Sequence, residues 1–412
     1  MNRPATALIP AREFAVVGVM GLGFGLVGVD RFLITTMFPA IAKDLHLSYG
    51  DIGTIAGVLA FAWGFAALLM GNLSDRIGRH PVLVGSLVVF SLLIGASGLA
   101  TGLMGLIAMR IVMGIADGAY TPVSITATLE SSSPKRYGLN IGLQQMMLPL
   151  CGLGFSSILV GFLLKFITWR YIFVLFTIPG LILAYAVYRI VPKKRAGHVE
   201  IPLEAIAHGH GANLLADWKH VIGYRNVQVA MGMMLCWLTC LTTTANLLPN
   251  YMVDHLGLST PSMGFVMSAI GWGSAAGTIT LPTFSDWLGR KPVMLVSCVG
   301  VAASLLLYSR TGANPAVLFA FLFAVHFFNN ALITLTVGPI CTGAVPISLM
   351  ATASGRVIAT GEFFGGGIAP IVSGQVAEHF GIQNILWLPI GAMGLALVFC
   401  AFLRETHGKS AI

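Results

Sequence analysis

The feature that most limits what this chain can fold into is its segmentation into long apolar runs. A helix needs about 20 mostly apolar residues to cross a bilayer, and runs of that length recur along the sequence. They lie near 14–38, 51–73, 81–100, 102–127, 139–164, 168–191, 227–253, 260–284, 292–310, 315–342, 351–376 and 384–404. The first run is too long for the apolar core of a cleavable signal, so it is predicted to be a spanning helix. Only 9% of the residues are charged and 56% are hydrophobic, against about 25% charged in ordinary soluble domains. Lipid is the solvent that suits such a chain. The expected fold class is an all-α membrane protein with twelve transmembrane helices.

Most links between the runs are short. The exception is 192–226, which carries Lys193, Lys194, Arg195, Lys219 and Arg225. It divides the chain into an expected N-terminal six-helix bundle (1–191), a central loop (192–226) and a C-terminal six-helix bundle (227–412). Within the loop, 201–207 and 214–218 have the makeup of short helices lying on a membrane surface. His208 and His210 flank a glycine there, a pattern more typical of a solvated loop than of a metal site. The 49 glycines suit close helix packing in lipid. The six cysteines all fall inside apolar runs and read as small packing residues.

Lysine and arginine fix the expected orientation. With the N-terminus in the cytoplasm, the basic residues of both termini and of the even-to-odd links lie inside, and only Lys43, Lys165, Arg170 and Arg310 lie outside. Both termini are therefore expected to be cytoplasmic, in a plasma membrane (the inner membrane in a bacterium). The net charge of +8 comes from short basic clusters between spans, suited to anionic lipid. Nucleic acid is not an expected partner; a lipid bilayer is, and the protein is expected to be a monomer.

A local signal repeats in the two halves. Gly71-Asn-Leu-Ser-Asp75-Arg76-Ile-Gly78-Arg79-His80 follows the second run, and Pro282-Thr-Phe-Ser-Asp286-Trp-Leu-Gly289-Arg290-Lys291 follows the eighth. Repeated six-span halves are a common way to build a cavity that opens to either side of a membrane.

The first of these stretches resembles the loop signature of the major facilitator superfamily, departing from it only at His80. The second is degenerate, with Pro282 and Trp287 replacing a glycine and an arginine. Arg110-x-x-x-Gly114-x-x-x-Gly118 resembles a second motif of that family. Asp30-Arg31-x-x-Ile34, Pro39-x-Ile41-x-x-Asp44-Leu45 and Trp169-Arg170-Tyr171-Ile172-Phe173 resemble the anion:cation symporter branch, whose members carry sugar acids and other organic anions. The resemblance implies two pseudo-symmetric bundles and alternating access. It also implies that Gly71, Asp75, Arg76, Gly78, Arg79, Asp286, Gly289 and Arg290 belong to conformational gating, with Asp75 meeting the start of the eleventh helix in the outward-open state.

Ionisable groups within spans are costly and usually functional. Six stand out: Asp30, Arg31, Arg110, Asp117, Arg356 and Glu362. Counting about 1.5 Å per residue from the span edges places Arg31 and Arg110 at similar depth, about 10–12 Å below the outer surface. Two planar guanidiniums at one depth suit a carboxylate. The alternatives are pairing of Arg31 with Asp30, and a helix-bracing role for Arg110. Asp117 follows Arg110 by almost two turns on the same face. Burial opposes a carboxylate's charge and a neighbouring arginine supports it; Asp30 and Asp117 are thus candidates for proton coupling, as the resembled branch also implies, with fixed ion pairing as the alternative. The six charges cancel, so an added anion would need an added proton. Glu362 is a further coupling candidate or a partner for Arg356. Gln145, Asn329, Asn330 and Tyr120 are candidate substrate contacts, with Gln144, Asn246, His326, Trp63, Trp237 and Trp272 weaker ones. Glu130 with Arg136 would close the fourth span.

No nucleotide loop, nucleophile motif or metal cluster stands out, so the protein is expected not to be an enzyme and to need no cofactor beyond protons as coupling ion, with sodium as the alternative. The expected function is proton-coupled symport of a small organic anion. Proton-coupled efflux of drugs or metabolites, and a transporter-like receptor, are the alternatives.

Overall fold

A computed structural model describes residues 10–133, 136–191, 221–346 and 349–405. The helix surface at 201–207 and the histidines at 208 and 210 lie outside these residues. So do the side chains of the stretch 68–77, which includes Asp75 and Arg76; its backbone is helical.

Among the described residues, twelve long helices run through the fold: α1 (Pro10–Leu45), α2 (Tyr49–Ile77), α3 (Arg79–Ser97), α4 (Leu103–Ser131), α5 (Tyr137–Leu163), α6 (Trp169–Ile190), α7 (Arg225–His255), α8 (Thr260–Leu288), α9 (Arg290–Ser309), α10 (Pro315–Ile340), α11 (Thr352–Phe380) and α12 (Ile382–Phe402). All twelve apolar runs became helices, and each is long and apolar enough to span a membrane. The largest departure from expectation is α1, which runs on past Pro39 to Leu45 rather than ending at 38. Its last turns carry Lys43 and Asp44, polar residues that an apolar window discards although they continue a helix beyond the hydrocarbon. Arg31 thus lies 14 residues from the helix end, about 21 Å along the axis, with the turns past Pro39 extending beyond the apolar run.

Helices α1–α6 pack as one bundle and α7–α12 as a second. An even number of crossings puts both chain ends on one face, here the terminal face; the other is the far face. The repeated motif gives the same local geometry in both halves. Gly78 (φ 93°, ψ 154°) and Gly289 (φ 89°, ψ 150°) join α2 to α3 and α8 to α9, a backbone conformation open essentially to glycine alone. The next residue in each half then braces the following hairpin: Arg79 pairs with Glu130 at 2.8 Å, and Arg290 donates to the Pro339 carbonyl at 2.8 Å. Glu130 therefore closes on Arg79 rather than on Arg136, which pairs with the buried Glu13 at 2.7 Å. Asp286 is exposed at the end of α8.

The two bundles meet tightly on the far side. A methyl group on Gly53 of α2 would lie 2.3 Å from the Pro370 carbonyl oxygen of α11, and one on Gly57 would lie 2.6 Å from that of Gly367. The symmetry-related seam is equally close: a methyl on Gly264 of α8 would lie 2.3 Å from the Ser157 carbonyl oxygen of α5. Polar contacts reinforce the far edge. The Glu378 carboxylate of α11 accepts from the Gly50 N–H (3.0 Å) and the Ser48 hydroxyl (3.1 Å) at the start of α2. The Tyr49 hydroxyl donates to Asp254 of α7 at 3.0 Å. On the terminal side the same helices have room: Gly64 of α2, Gly138 and Gly142 of α5 and Gly355 of α11 have nothing within 4 Å of where a side chain would project. Among the described residues, the close backbone contacts between the bundles lie toward the far face, and these terminal-side glycines make none.

Candidate functional site

Between the bundles, in the middle of the spans, lies a small cleft. Arg31, Phe32 and Ile34 of α1, Ile55, Ala56 and Leu59 of α2 and Arg110 of α4 line one side; Thr242 and Asn246 of α7 and Gly366 of α11 line the other. The two arginines expected to share a chamber do share it.

Neighbouring positions on a helix point about 100° apart, and Asp30 and Arg31 use that divergence. Asp30 turns into the N-terminal bundle and Arg31 toward its partner. Arg31 Nη2 donates to Glu362 Oε2 of α11 at 3.0 Å, an ion pair that bridges the two bundles. Its members are about one-sixth and one-eighth exposed, at 16% and 13%. The Arg31 guanidinium also lies 5.8 Å from the ring centres of Phe32 and Trp63. Arg31 thus pairs with Glu362 rather than with Asp30, and Glu362 pairs with Arg31 rather than with Arg356. Arg356, six residues nearer the terminal face, is not part of the cleft wall, so the balanced set of six charges does not assemble around one chamber.

The second cluster lies inside the N-terminal bundle. Arg110, Asp30 and Asp117 are each only 1% exposed. Arg110 Nη1 donates to the Asp30 carbonyl oxygen at 2.8 Å and sits 3.7 Å from Asp30 Oδ1. Its Nε and Nη2 have no partner, which leaves donors of a buried guanidinium that lines the cleft. Asp30 of α1 and Asp117 of α4 are both fully enclosed in this cluster. With both ionised, none of their four oxygens has a hydrogen-bond donor. Two carboxyl groups beside one guanidinium in a dry setting are neutral as a unit when they hold one proton between them.

Other expected contacts are spent elsewhere. Tyr120 is fully buried and donates to the Met20 carbonyl at 3.3 Å, tying α4 to α1. Asn329 is fully buried and donates to the Trp237 carbonyl at 3.2 Å. Asn330 hydrogen-bonds the Ser274 hydroxyl and so joins α10 to α8. These three are interhelical fastenings, a common fate of polar groups in membrane helices, and none lines the cleft. Gln145 is exposed on α5, while the neighbouring Gln144 donates to the Ser124 hydroxyl at 2.9 Å. His326 pairs with the Thr244 hydroxyl at 3.0 Å in the C-terminal core. Thr242 was missed by the sequence reading, although the polar run Thr242-Thr243-Thr244-Ala245-Asn246 inside an apolar span signals a cavity-facing segment.

The comparisons with known proteins agree with this architecture. The family model described as Major Facilitator Superfamily matches residues 20–355 and 230–412. A protein named hexuronate transporter from Bacillus subtilis is 27% identical, covering 93% of this chain and 93% of its own. A 3-(3-hydroxy-phenyl)propionate transporter from Escherichia coli is 26% identical over 89% of this chain and 87% of its own. Among solved structures, the nucleoside transporter NupG superposes with a TM-score of 0.79 at 15% identity, covering 95% of this chain and all of that one. A bacterial homologue of the lysosomal transporter Spinster, in an inward-facing and unoccupied conformation, gives 0.73 at 15% identity, covering 96% of this chain and 95% of that one.

Proposed function

Because the chain belongs to the major facilitator superfamily, we propose that it is a secondary active transporter carrying a small organic anion together with protons by alternating access, not an enzyme. One observation carries the reading: Arg31 and Arg110 line the same cleft between the bundles, and Nε and Nη2 of the buried Arg110 guanidinium have no hydrogen-bond partner. A carboxylate in the cleft meets Arg31 on its terminal side. It takes the place of Glu362 on that guanidinium and extends to Arg110 Nε and Nη2, the planar fork geometry that suits it.

Charge balance supplies the coupling. Two guanidiniums face three carboxyl groups, so the empty site is neutral when Asp30 and Asp117 hold one proton. An incoming monoanion adds one negative charge and strips Glu362 of its partner. A second proton, on Glu362 or on the aspartate pair, restores neutrality, and a neutral core is what can be moved through the low-dielectric middle of the membrane. The cargo and the proton then travel as a set. With both termini cytoplasmic, the orientation expected from the Lys and Arg distribution, the terminal face is the inner one and release is into the cell. Relatives named as carriers of hexuronate and 3-(3-hydroxy-phenyl)propionate support an organic-acid cargo.

The test is uptake of labelled carboxylates into proteoliposomes, with and without an inward pH gradient and with sodium replaced by choline. Accumulation that follows the pH gradient and ignores sodium is expected. Uptake unchanged by the gradient would end the proton-symport reading, and accumulation only when the gradient is reversed would mark an exporter.

A further inference from the structure

Resting on the carboxylate-carrier reading, we propose that the cargo is a monocarboxylate with an unsaturated, ring-like body and few hydroxyl groups, and that Trp63 selects that body. The wall next to the two arginines is apolar. Ile55, Leu59 and Trp63 stand at successive turns of one face of α2; the first two line the cleft and Trp63 lies beside Arg31, toward the terminal side. Phe32 flanks the same guanidinium from α1. A flat apolar body held by its carboxylate on Arg31 and Arg110 would lie along this wall.

Groups able to recognise hydroxyls are scarce. A cargo with four or five hydroxyls needs a donor or acceptor for each. Asn329 and Asn330 are engaged between helices and do not reach the cleft. The Thr242 hydroxyl already donates to the Gly365 carbonyl at 2.8 Å. Asn246 is the amide left on the cleft wall, enough for a single ring substituent. Trp63 is fixed by its own N–H, which donates to Thr121 at 3.3 Å, so its ring is held in place as a recognition surface.

The experiment measures binding of three monoanions to the purified full-length protein, by calorimetry, and their uptake in proteoliposomes: benzoate, glucuronate and acetate. Benzoate is expected to bind at least about tenfold more tightly than glucuronate, since an apolar wall discriminates by up to about a hundredfold against even one added hydroxyl. Trp63→Leu is expected to weaken benzoate about fivefold while leaving acetate unchanged, and Trp63→Phe to keep most of the benzoate affinity. Glucuronate binding as tightly as benzoate would overturn the inference and leave the carrier reading standing. An equal loss of benzoate and acetate in Trp63→Leu would overturn it too, because Trp63 would then serve only to hold Arg31. No binding or uptake of any of the three would overturn both readings.

Discussion

Arg31 of α1 and Glu362 of α11 meet at 3.0 Å across the boundary between the two six-helix bundles. A pair in that position is both a lock and a competitor. It draws the bundles together when the site is empty, and it occupies the guanidinium that a carboxylate would need.

Removing the charge of Glu362 should separate binding from coupling. Glu362→Gln frees Arg31 and removes a site for the second proton. Anion affinity should rise several-fold, while accumulation driven by a pH gradient should fall at least about tenfold and exchange of anion for anion should persist. Arg31→Lys should bind weakly, because a point charge cannot replace the planar fork. Equilibrium binding and gradient-driven uptake of the same variants decide between these outcomes; Glu362→Gln that accumulates anion as the parent does would contradict the scheme.

The Asp30–Arg110–Asp117 cluster should show different behaviour under different substitutions. Arg110→Met leaves two buried carboxyls without their counter-charge, and breaking such a buried set typically costs about 3–5 kcal/mol. A large fall in melting temperature is expected, with partial recovery when Asp30→Asn is added. Asp117→Asn removes only the shared proton. It should fold normally and bind anion, yet lose the response of uptake to pH. Thermal unfolding in detergent, read beside uptake at two pH values, distinguishes the two kinds of variant.

The far-side seams should tolerate no side chain. Gly53→Val and Gly264→Val each force atoms into a backbone carbonyl of the opposite bundle, so each should part the far face and raise labelling of a Thr54→Cys reporter by a membrane-impermeant maleimide. Gly64→Val, on the same helix as Gly53 but facing open space, should leave labelling unchanged. Glu378→Ala together with Tyr49→Phe removes the polar contacts at that edge and should act in the same direction more weakly, each such hydrogen bond being worth about 1 kcal/mol. Equal labelling in Gly53→Val and Gly64→Val would show that the seam does not hold the face shut.

The Lys and Arg distribution predicts both termini on the cytoplasmic side. Green fluorescent protein fused after Ile412 should fluoresce, and alkaline phosphatase fused there should stay inactive. The reverse pattern would invert the direction of transport inferred above.

Twelve helices were legible in the sequence because the bilayer reduces the problem to counting apolar residues. The edges of α1 were not, since Lys43 and Asp44 continue the helix outside the region that hydropathy reports. At the site, the seven-residue spacing of Arg110 and Asp117 placed both on one face of α4, and the structure adds Asp30 of α1 beside Arg110. The partner of Arg31 was not readable. Glu362 lies 331 positions away, and only the packing of α11 against α2 brings it to Arg31 in place of the adjacent Asp30. Polar residues inside spans were read as cavity contacts, yet Tyr120, Asn329 and Asn330 turned out to fasten helices. Sequence spacing gives the face of a helix but not which neighbour that face meets.

Two helices related by the internal symmetry interrupt their regular winding at the same height. In α5 a π-helical stretch, Leu150–Phe155, follows Pro149; in α11 another, Glu362–Ile368, contains Gly365, Gly366 and Gly367. Wider turns leave the hydrogen-bond ladder loose at one place while the helix continues on either side. Each of these helices is therefore two levers joined at mid-membrane. If the protein alternates access as proposed, the terminal-side arm would swing to grip or free a solute while the far-side arm stays fastened, and the passage would never be open at both ends.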